Sequence, residues 1–335
     1  MSAGSQVLPT DAAPVAPEAA PRRPWWTRAS LLRDYSVLVA TVVLFIVLSA
    51  TSSSFLTKTN LLNIVDQQTS LGIIACAGTL VIIAGAFDLS VGAMYALGGV
   101  IAAQLANHLG VPEGIILAIL AGAVFGLVNG VAVGAFKINP FIATLASAIV
   151  FGGLGLIISG EALITVTKPS FQTFGSSEFL GVRLTTWIFI AFALAMGLLL
   201  QRTKFGRYIY ACGGNEEAAR LSGVRVGMVR AWVFVISGLA STLAGALFAA
   251  RVGVGDSSVG TALTLSAVAA IVVGGTSIWG GEGAIWRTIV GLFFLALIDN
   301  GFNLLGVDAK YQQVVQGTII LVAAGVDAYA RRQRR

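Results

Sequence analysis

Residues Ile188–Leu200 read IFIAFALAMGLLL, a run without a single charge. Val37–Leu48, VLVATVVLFIVL, is similarly apolar around the whole circumference of a helix. Neither run shows the period-two alternation of apolar and polar residues that membrane barrel strands require. Because every backbone polar group in lipid has to be satisfied within its own segment, such runs predict membrane-spanning helices.

Composition supports the same fold class. The chain has 335 residues, of which 56% are hydrophobic and 11% are charged, whereas soluble domains carry about 25% charged residues. Its 40 glycines suit helices that approach closely, since small residues let backbones touch inside a membrane. We therefore predict an all-α integral membrane protein, a polytopic bundle of transmembrane helices surrounded by the lipid bilayer.

The apolar runs divide the chain into three parts. Residues 1–34 read as a disordered cytoplasmic tail, 35–330 as the transmembrane domain and 331–335 as a basic cytoplasmic C-terminus. Glycine-rich joints at 84–92 and 274–283 interrupt the hydrophobicity, and each is either a loop or a break within one helix. About ten spans are predicted, near 35–55, 69–87, 90–108, 113–135, 141–160, 186–202, 229–251, 262–278, 284–302 and 311–330.

The basic residues indicate an orientation. With ten spans, sixteen of the 21 Lys and Arg residues fall on the same side as the N-terminal tail, and five fall on the other side. The positive-inside rule then places both termini in the cytoplasm. The five on the outer side are Lys58, Lys168, Arg183, Arg251 and Lys310.

One short polar stretch between two apolar runs has the signals of a soluble helix. Asn215 can act as its N-cap, two glutamates follow in the first turn, and Gly223 can close it in a left-handed conformation. A helix of roughly 11 Å is marginal alone, so we expect a partner to pack on Ala218, Leu221 and Val224. A polar connector without a partner is the alternative. The residues assigned to docking are Asn215, Glu216, Glu217, Ala218, Ala219, Arg220, Leu221 and Gly223.

The sequence offers no catalytic group. It has one histidine, two cysteines and no GxxxxGK[ST] phosphate loop. No apolar run carries two aspartates at helical spacing, so an embedded hydrolase or transferase is excluded, and no metal site or cofactor is predicted. The basic residues cluster at the ends of apolar runs, which argues against nucleic acid as a partner. Transport remains as the function class.

Several stretches resemble a known family. Glu217-Ala218-Ala219, followed after three residues by Gly223, resembles the EAA-x3-G cytoplasmic loop of ABC importer permeases, and the surrounding residues 206–223 are similar to those of ribose-type sugar permeases. The resemblance covers about residues 50–330. The other matching stretches are Phe55–Thr57 with Asn60–Asn63, Asp88–Gly92, Asn139–Leu145, Gly274–Ser277 and Asn300–Gly306.

The resemblance implies the permease subunit of an ATP-driven importer for a monosaccharide, in the bacterial cytoplasmic membrane. Its implied partners are an ATP-binding subunit that docks on 215–223, a second permease copy and an extracytoplasmic sugar-binding protein. ATP hydrolysis would belong to the separate subunit. The alternative is an ion-coupled secondary transporter or channel, which would need buried ionisable pairs; the chain offers chiefly Asp88 and Asp299.

Polar residues near the joints and span ends are the predicted wall of the substrate pathway. Asp88, at the first joint, has two open interpretations. It can cap the amides that open the next span, with Ser90 close by, or it can face a wet cavity shared with the substrate. The predicted pathway residues are Asp88, Ser90, Asn139, Thr144, Asn300 and Asn303.

Overall fold

The structure is a computed structural model that describes residues 29–332. The predicted tail lies outside the described residues up to position 28, and residues 29–34 form the start of the first helix. The basic C-terminus lies outside them from position 333, while the last helix continues to Arg332. The side chains of residues 29–34, 309, 313, 323, 324 and 326–332 are likewise not described.

The described chain is helical apart from four two-residue strands. The elements are α1 (Ala29–Thr51), α2 (Lys58–Gln67), α3 (Thr69–Ile83), α4 (Val91–His108), α5 (Val111–Gly134), α6 (Pro140–Ser159), β1 (Ile164–Thr165), α7 (Pro169–Ser176), β2 (Glu178–Phe179), β3 (Val182–Arg183), α8 (Leu184–Arg202), α9 (Lys204–Gly214), α10 (Glu216–Leu221), α11 (Val226–Val252), β4 (Val254–Gly255), α12 (Thr261–Val273), α13 (Ile285–Leu304) and α14 (Ala309–Arg332).

Helix α11 is the centre of the bundle. It packs against α3, α4, α5 and α7, and its 27 residues make it about 40 Å long. Along α5, a glycine at every fourth position meets the backbone of α11; a Cβ at Gly126, for example, would lie 2.2 Å from the carbonyl oxygen of Phe234. Only glycine permits this approach, which explains part of the high glycine content. The four are Gly122, Gly126, Gly130 and Gly134.

Each of the ten predicted spans contains a helix, but the count of ten spans is not confirmed. Among the described residues, five helices are long and apolar enough to cross a membrane: α5, α6, α8, α11 and α13. A sixth is possible if α2 and α3, which meet at a bend of 44°, form one span. The apolar helices α3 and α12 have 15 and 13 residues, about 22 and 20 Å, and are too short for a ~30 Å hydrocarbon core.

Both short helices stop at the predicted glycine joints. The first joint connects α3 to α4 through residues 84–90, and the second connects α12 to α13 through residues 274–284. Gly85 and Gly275 have φ of 75° and 88°, a left-handed backbone that ends a helix without strain only at glycine. Each joint is therefore a non-helical segment, of seven residues in the first case and eleven in the second, that follows a short apolar helix.

The two ends of α11 define two ends of the bundle. Near its start lie α9 and α10, and we call this the coupling end. Near its finish lie α7 and the antiparallel pair of β1 with β4, in which Ile164 faces Gly255. We call this the distal end; the hairpin of β2 and β3 precedes α8 there.

Candidate functional site

Helix α10 has the predicted caps. The side-chain oxygen of Asn215 accepts a hydrogen bond from the amide of Ala218 at 3.0 Å. At the other end, Gly223 has φ of 83°, and its amide donates to the carbonyl of Arg220 at 3.0 Å. The next amide, of Val224, donates to the carbonyl of Ala219 at 3.0 Å, which completes a Schellman motif. The local sequence thus determines both ends of this helix.

The faces of α10 differ sharply in exposure. Ala219 is 5% exposed and anchors the helix to the bundle, with Val224 half-buried behind it. Ala218 is exposed, and Leu221 is 83% exposed. Val224 therefore packs against the chain itself, whereas Ala218 and Leu221 remain exposed and are the two of the three residues that a partner could cover. An apolar side chain this exposed on a short polar helix leaves a face available to another molecule.

A second contact ties α10 to the first joint. The guanidinium of Arg230 forms an ion pair with Glu216 at 2.8 Å, and its Nε donates to the carbonyl oxygen of Ala84 at 3.3 Å. Ala84 is the C-cap of α3. One arginine on α11 thus links the first turn of α10 to the residue at which α3 ends.

Helix α9 contacts both joints through glycines. The amide of Gly281, in the second joint, donates to the carbonyl of Ile83 at the first joint, at 2.9 Å. A Cβ on Gly213 would lie 1.7 Å from that carbonyl oxygen. A Cβ on Gly280 would lie 2.9 Å from the Cα of Gly85. We call Gly85, Gly213, Gly280 and Gly281 the glycine junction.

Two further side chains of α9 fix its position. The hydroxyl of Tyr210 donates to the carbonyl of Gly283 in the second joint at 2.7 Å. Cys212 is buried beside the junction, and burial raises the pKa of its thiol. A thiol held protonated in this way reacts slowly with thiol reagents. The contacts make α9 and both joints one packed unit.

Asn139 lies apart from the other predicted pathway residues. Its side chain caps α6 by accepting from the amide of Phe141 at 2.9 Å. It lines an open groove of about 610 Å³ at the coupling end, together with Lys137, Arg220 and Arg230. The structure therefore places Asn139 beside α10.

Asp88 is buried in the middle of the bundle, with 8% exposure. One carboxylate oxygen accepts from the amide of Ser90 at 3.0 Å and from its hydroxyl at 2.5 Å. The other accepts from the hydroxyl of Ser237 on α11 at 2.7 Å. The amide belongs to Ser90, the N-cap residue directly before α4, so Asp88 closes an Asx turn that leads into the helix.

The network continues through α5 and α6. Asn129 donates to the hydroxyl of Ser90 at 2.8 Å, and Ser147 donates to the side-chain oxygen of Asn129 at 2.5 Å. The hydroxyl of Thr144 accepts from the amide of Leu89 at 3.1 Å. Of the predicted pathway residues, Asp88, Ser90 and Thr144 therefore share one buried cluster that holds the first joint between four helices.

Asn300 and Asn303 lie elsewhere, at the distal end. Asn300 exchanges hydrogen bonds with Asn60 on α2, at 2.8 and 3.2 Å. Asn303 accepts from Gln312 on α14 at 3.1 Å. The structure thus distributes the six predicted pathway residues over three places: the coupling-end groove, the buried cluster and the distal end.

A buried ion cluster was not predicted. Asp66 is 5% exposed, and its carboxylate lies 3.1 Å from Arg183 and 2.9 Å from Arg251. The three residues come from α2, β3 and α11. Each residue lies near the end of an apolar run, but the three are far apart in sequence. No sequence pattern therefore predicts that they form a cluster.

Other residues that the sequence reasoning missed did carry a signal. Asn60, Asn63 and Gln67 are spaced for one face of α2, and Gln312 and Gln316 for one face of α14. Polar residues at helical spacing beside a membrane span indicate a wet surface. Among the described residues, no group of three or more His, Cys, Asp or Glu side chains could hold a metal ion.

Comparison with known proteins agrees with the motifs. Residues 60–324 match the family described as branched-chain amino acid transport system / permease component. The ribose import permease protein RbsC of Escherichia coli (strain K12) is 38% identical over 313 residues, which cover 91% of this chain and 96% of the relative. RbsC of Bacillus subtilis (strain 168) is 40% identical over 288 residues, covering 85% and 89%.

A third relative carries a different sugar in its name. The L-arabinose ABC transporter permease protein AraH of Azospirillum brasilense is 36% identical over 329 residues, which cover 98% of this chain and 96% of the relative. No solved structure matches the chain. The resemblance predicted from the motifs is confirmed, and the chain belongs to the family of branched-chain amino acid transport system permease components.

Proposed function

We propose that this protein is the membrane permease subunit of an ATP-driven importer that translocates a monosaccharide of the ribose or arabinose kind. The observation that carries this proposal is similarity over nearly the whole chain to permeases named for ribose and L-arabinose import. The substrate class follows from those names, and the chain contributes the translocation path. A separate subunit binds and hydrolyses ATP.

The exposed face of α10 is the proposed docking surface for that ATP-binding subunit. Its support is the combination of firm caps, an anchored Ala219 and an exposed Leu221. The distribution of basic residues supports a position of α10 and both termini on the cytoplasmic side of a bacterial inner membrane. The distal end then faces outward, towards a sugar-binding protein. A second permease copy, identical or related, completes the pore.

Contacts on both sides of α10 support a mechanism for coupling. Movement of α10 displaces Glu216 and with it Arg230, which is bonded to the end of α3. Helix α9 moves with α10 and pushes the glycine junction, at which both joints meet. Because packed elements have discrete arrangements, a small shift there reorients the helices that the joints connect. The chain thereby alternates access without performing chemistry.

Uptake into sealed vesicles tests the function. The permease is reconstituted with its ATP-binding subunit and binding protein, and labelled D-ribose and L-arabinose are offered separately. We expect accumulation of one of these sugars that requires ATP and persists when an ionophore removes ion gradients. Accumulation that persists without ATP and collapses with the ionophore would instead establish the ion-coupled transporter.

The docking role of α10 has a more specific test. Ala218→Trp adds a bulky side chain to a position that is exposed in this chain, so the permease itself should remain stable, within about 0.5 kcal/mol. In the complex the same side chain overpacks a fitted contact, at a cost of about 1–3 kcal/mol. We expect weaker co-purification of the ATP-binding subunit and a loss of uptake.

A matched control is Ala162→Trp, a substitution of another exposed alanine at the distal end. It should leave co-purification of the ATP-binding subunit unchanged. If Ala218→Trp retains the subunit and transports at the parental rate, α10 is not the docking element.

A further inference from the structure

Three helices present polar stripes to one cavity at the distal end. The stripe of α2 consists of Asn60, Asn63 and Gln67, at intervals of three and four residues. The stripe of α13 consists of Asp299, Asn300 and Asn303, and Asn303 follows the other two at intervals of four and three residues. The stripe of α14 is the pair of Gln312 and Gln316, at an interval of four. These intervals place each stripe on a single helix face. The cavity has a volume of about 510 Å³, within the roughly 300–1,000 Å³ of small-molecule sites. We call it the distal amide cavity.

The polar side chains that line the cavity are carboxamides, with one exception. Asp299 is the one carboxylate among its lining residues, and Gln316 donates to both of its oxygens, at 2.7 and 2.9 Å. Asn300 and Asn60 hold each other by two reciprocal bonds. These pairs fix the wall, while Asn63 and Gln67 remain exposed at the rim. No aromatic side chain contributes to the lining.

This chemistry selects a class of ligand. A carboxamide both donates and accepts hydrogen bonds, as does a hydroxyl group, so a wall of carboxamides matches a neutral polyhydroxylated molecule. A cation is a poor match, because the single carboxylate already faces the N–H donors of Gln316. Helix α13 is one of the candidate spans, and polar residues are costly within a span, which argues that its polar stripe serves a purpose.

The position of the cavity suits the entry of a substrate. Helix α13 has 20 residues, about 30 Å, and its first residues follow the joint that contacts α9 at the coupling end. Asn300 and Asn303 lie at its other end. The cavity is therefore separated from α10 by about the thickness of a hydrocarbon core, on the side that receives substrate from outside.

We infer that the distal amide cavity is a reception site at which the permease binds the free sugar by its hydroxyl groups before translocation. The inference rests on the proposed function and adds to it a specific binding site on the permease. The site makes the permease itself a contributor to the choice of sugar, alongside the binding protein.

Uptake by the complete reconstituted transporter tests the site. Asn63→Leu and Gln316→Leu each remove one carboxamide and keep a side chain of similar size. The loss of one such hydrogen bond should lower the rate of D-ribose uptake at subsaturating concentration by about 2- to 10-fold. Thr318→Val is the matched control, because Thr318 is exposed on α14, bonds only to its own helix and does not line the cavity.

A second measurement reads binding without transport. In a chain whose Cys76 and Cys212 are replaced by serine, Asn303→Cys places a thiol at the exposed part of the cavity. We expect D-ribose to slow its reaction with a membrane-impermeant maleimide, whereas glycine betaine at equal osmolarity, which lacks hydroxyls, should not. If neither D-ribose nor L-arabinose slows the labelling of this thiol, the proposed site is wrong. It is also wrong if sodium chloride alone slows the labelling.

The two proposals can fail separately. If both leucine variants show normal ATP-driven uptake and sugar does not slow the labelling, the proposed site is wrong and the proposed importer function is unaffected. If sugar slows the labelling but the complex shows no ATP-driven uptake, the importer function is wrong and the binding site is supported.

Discussion

Replacing Gly213 by alanine tests the glycine junction as the link between the docking helix and the two joints. Gly213 lies in the last turns of α9, where a helical backbone would ordinarily accept alanine. The added Cβ would lie 1.7 Å from the carbonyl oxygen of Ile83 and 2.6 Å from the amide nitrogen of Gly281. Those two atoms form a hydrogen bond of 2.9 Å, so the methyl group would separate both partners.

Two costs add in this variant. Overpacking a fitted contact costs about 1–3 kcal/mol, and leaving a buried amide and carbonyl unpaired costs about 1–3 kcal/mol more. Gly213→Ala should therefore destabilise the chain by roughly 2–6 kcal/mol. Because the displaced backbone belongs to both joints, we expect uptake to fall even at a temperature at which the protein remains folded.

The adjacent glycine is a matched control. A Cβ on Gly214 would have no neighbour within 4 Å, so Gly214→Ala should be neutral or stabilising by up to about 1 kcal/mol through helix propensity. The assay compares the melting temperatures of the two variants in detergent and their ATP-driven uptake in vesicles. Equal melting temperatures and equal uptake in both variants would refute the close contact at Gly213 and the coupling route through it.

Three other predictions have definite expected outcomes. In a chain without native cysteines, Ser222→Cys should react with impermeant maleimide only in opened cells and Ser170→Cys in intact cells, and the reverse pattern would contradict the orientation drawn from the basic residues. Asp88→Ala should lower the melting temperature more than Asp88→Asn, since asparagine keeps an oxygen that can accept from the amide of Ser90. Equal melting temperatures would rule out this role, and uptake by the asparagine variant measures whether transport needs the charge. Asp66→Asn should destabilise by about 3 kcal/mol, because two arginines lose their counter-charge, whereas Asp308→Asn, in an exposed pair, should not measurably change the melting temperature.

The sequence alone determined the features that depend on near neighbours. Asn215 and Gly223 predict the two ends of α10, because each cap forms between residues only a few positions apart. The apolar runs predict helices in all ten segments because lipid leaves the backbone no other way to satisfy its polar groups. The motifs also identified the family. The number of spans did not follow, because hydrophobicity does not distinguish a complete span from a short helix that stops at a joint.

Only the tertiary structure decided which distant residues meet. The glycines of α5 are spaced for a seam, but their pairing with α11 depends on how the helices cross. Asn139, Asp88 and Asn300 looked alike as polar residues near span ends, yet they lie in three separate places. A cap is a local contact whose partners the chain brings together by itself. A junction or cavity between helices far apart in sequence depends on how the helices pack. For this reason the contacts of α9 with the two joints, and the distal amide cavity, could be identified only in the tertiary structure.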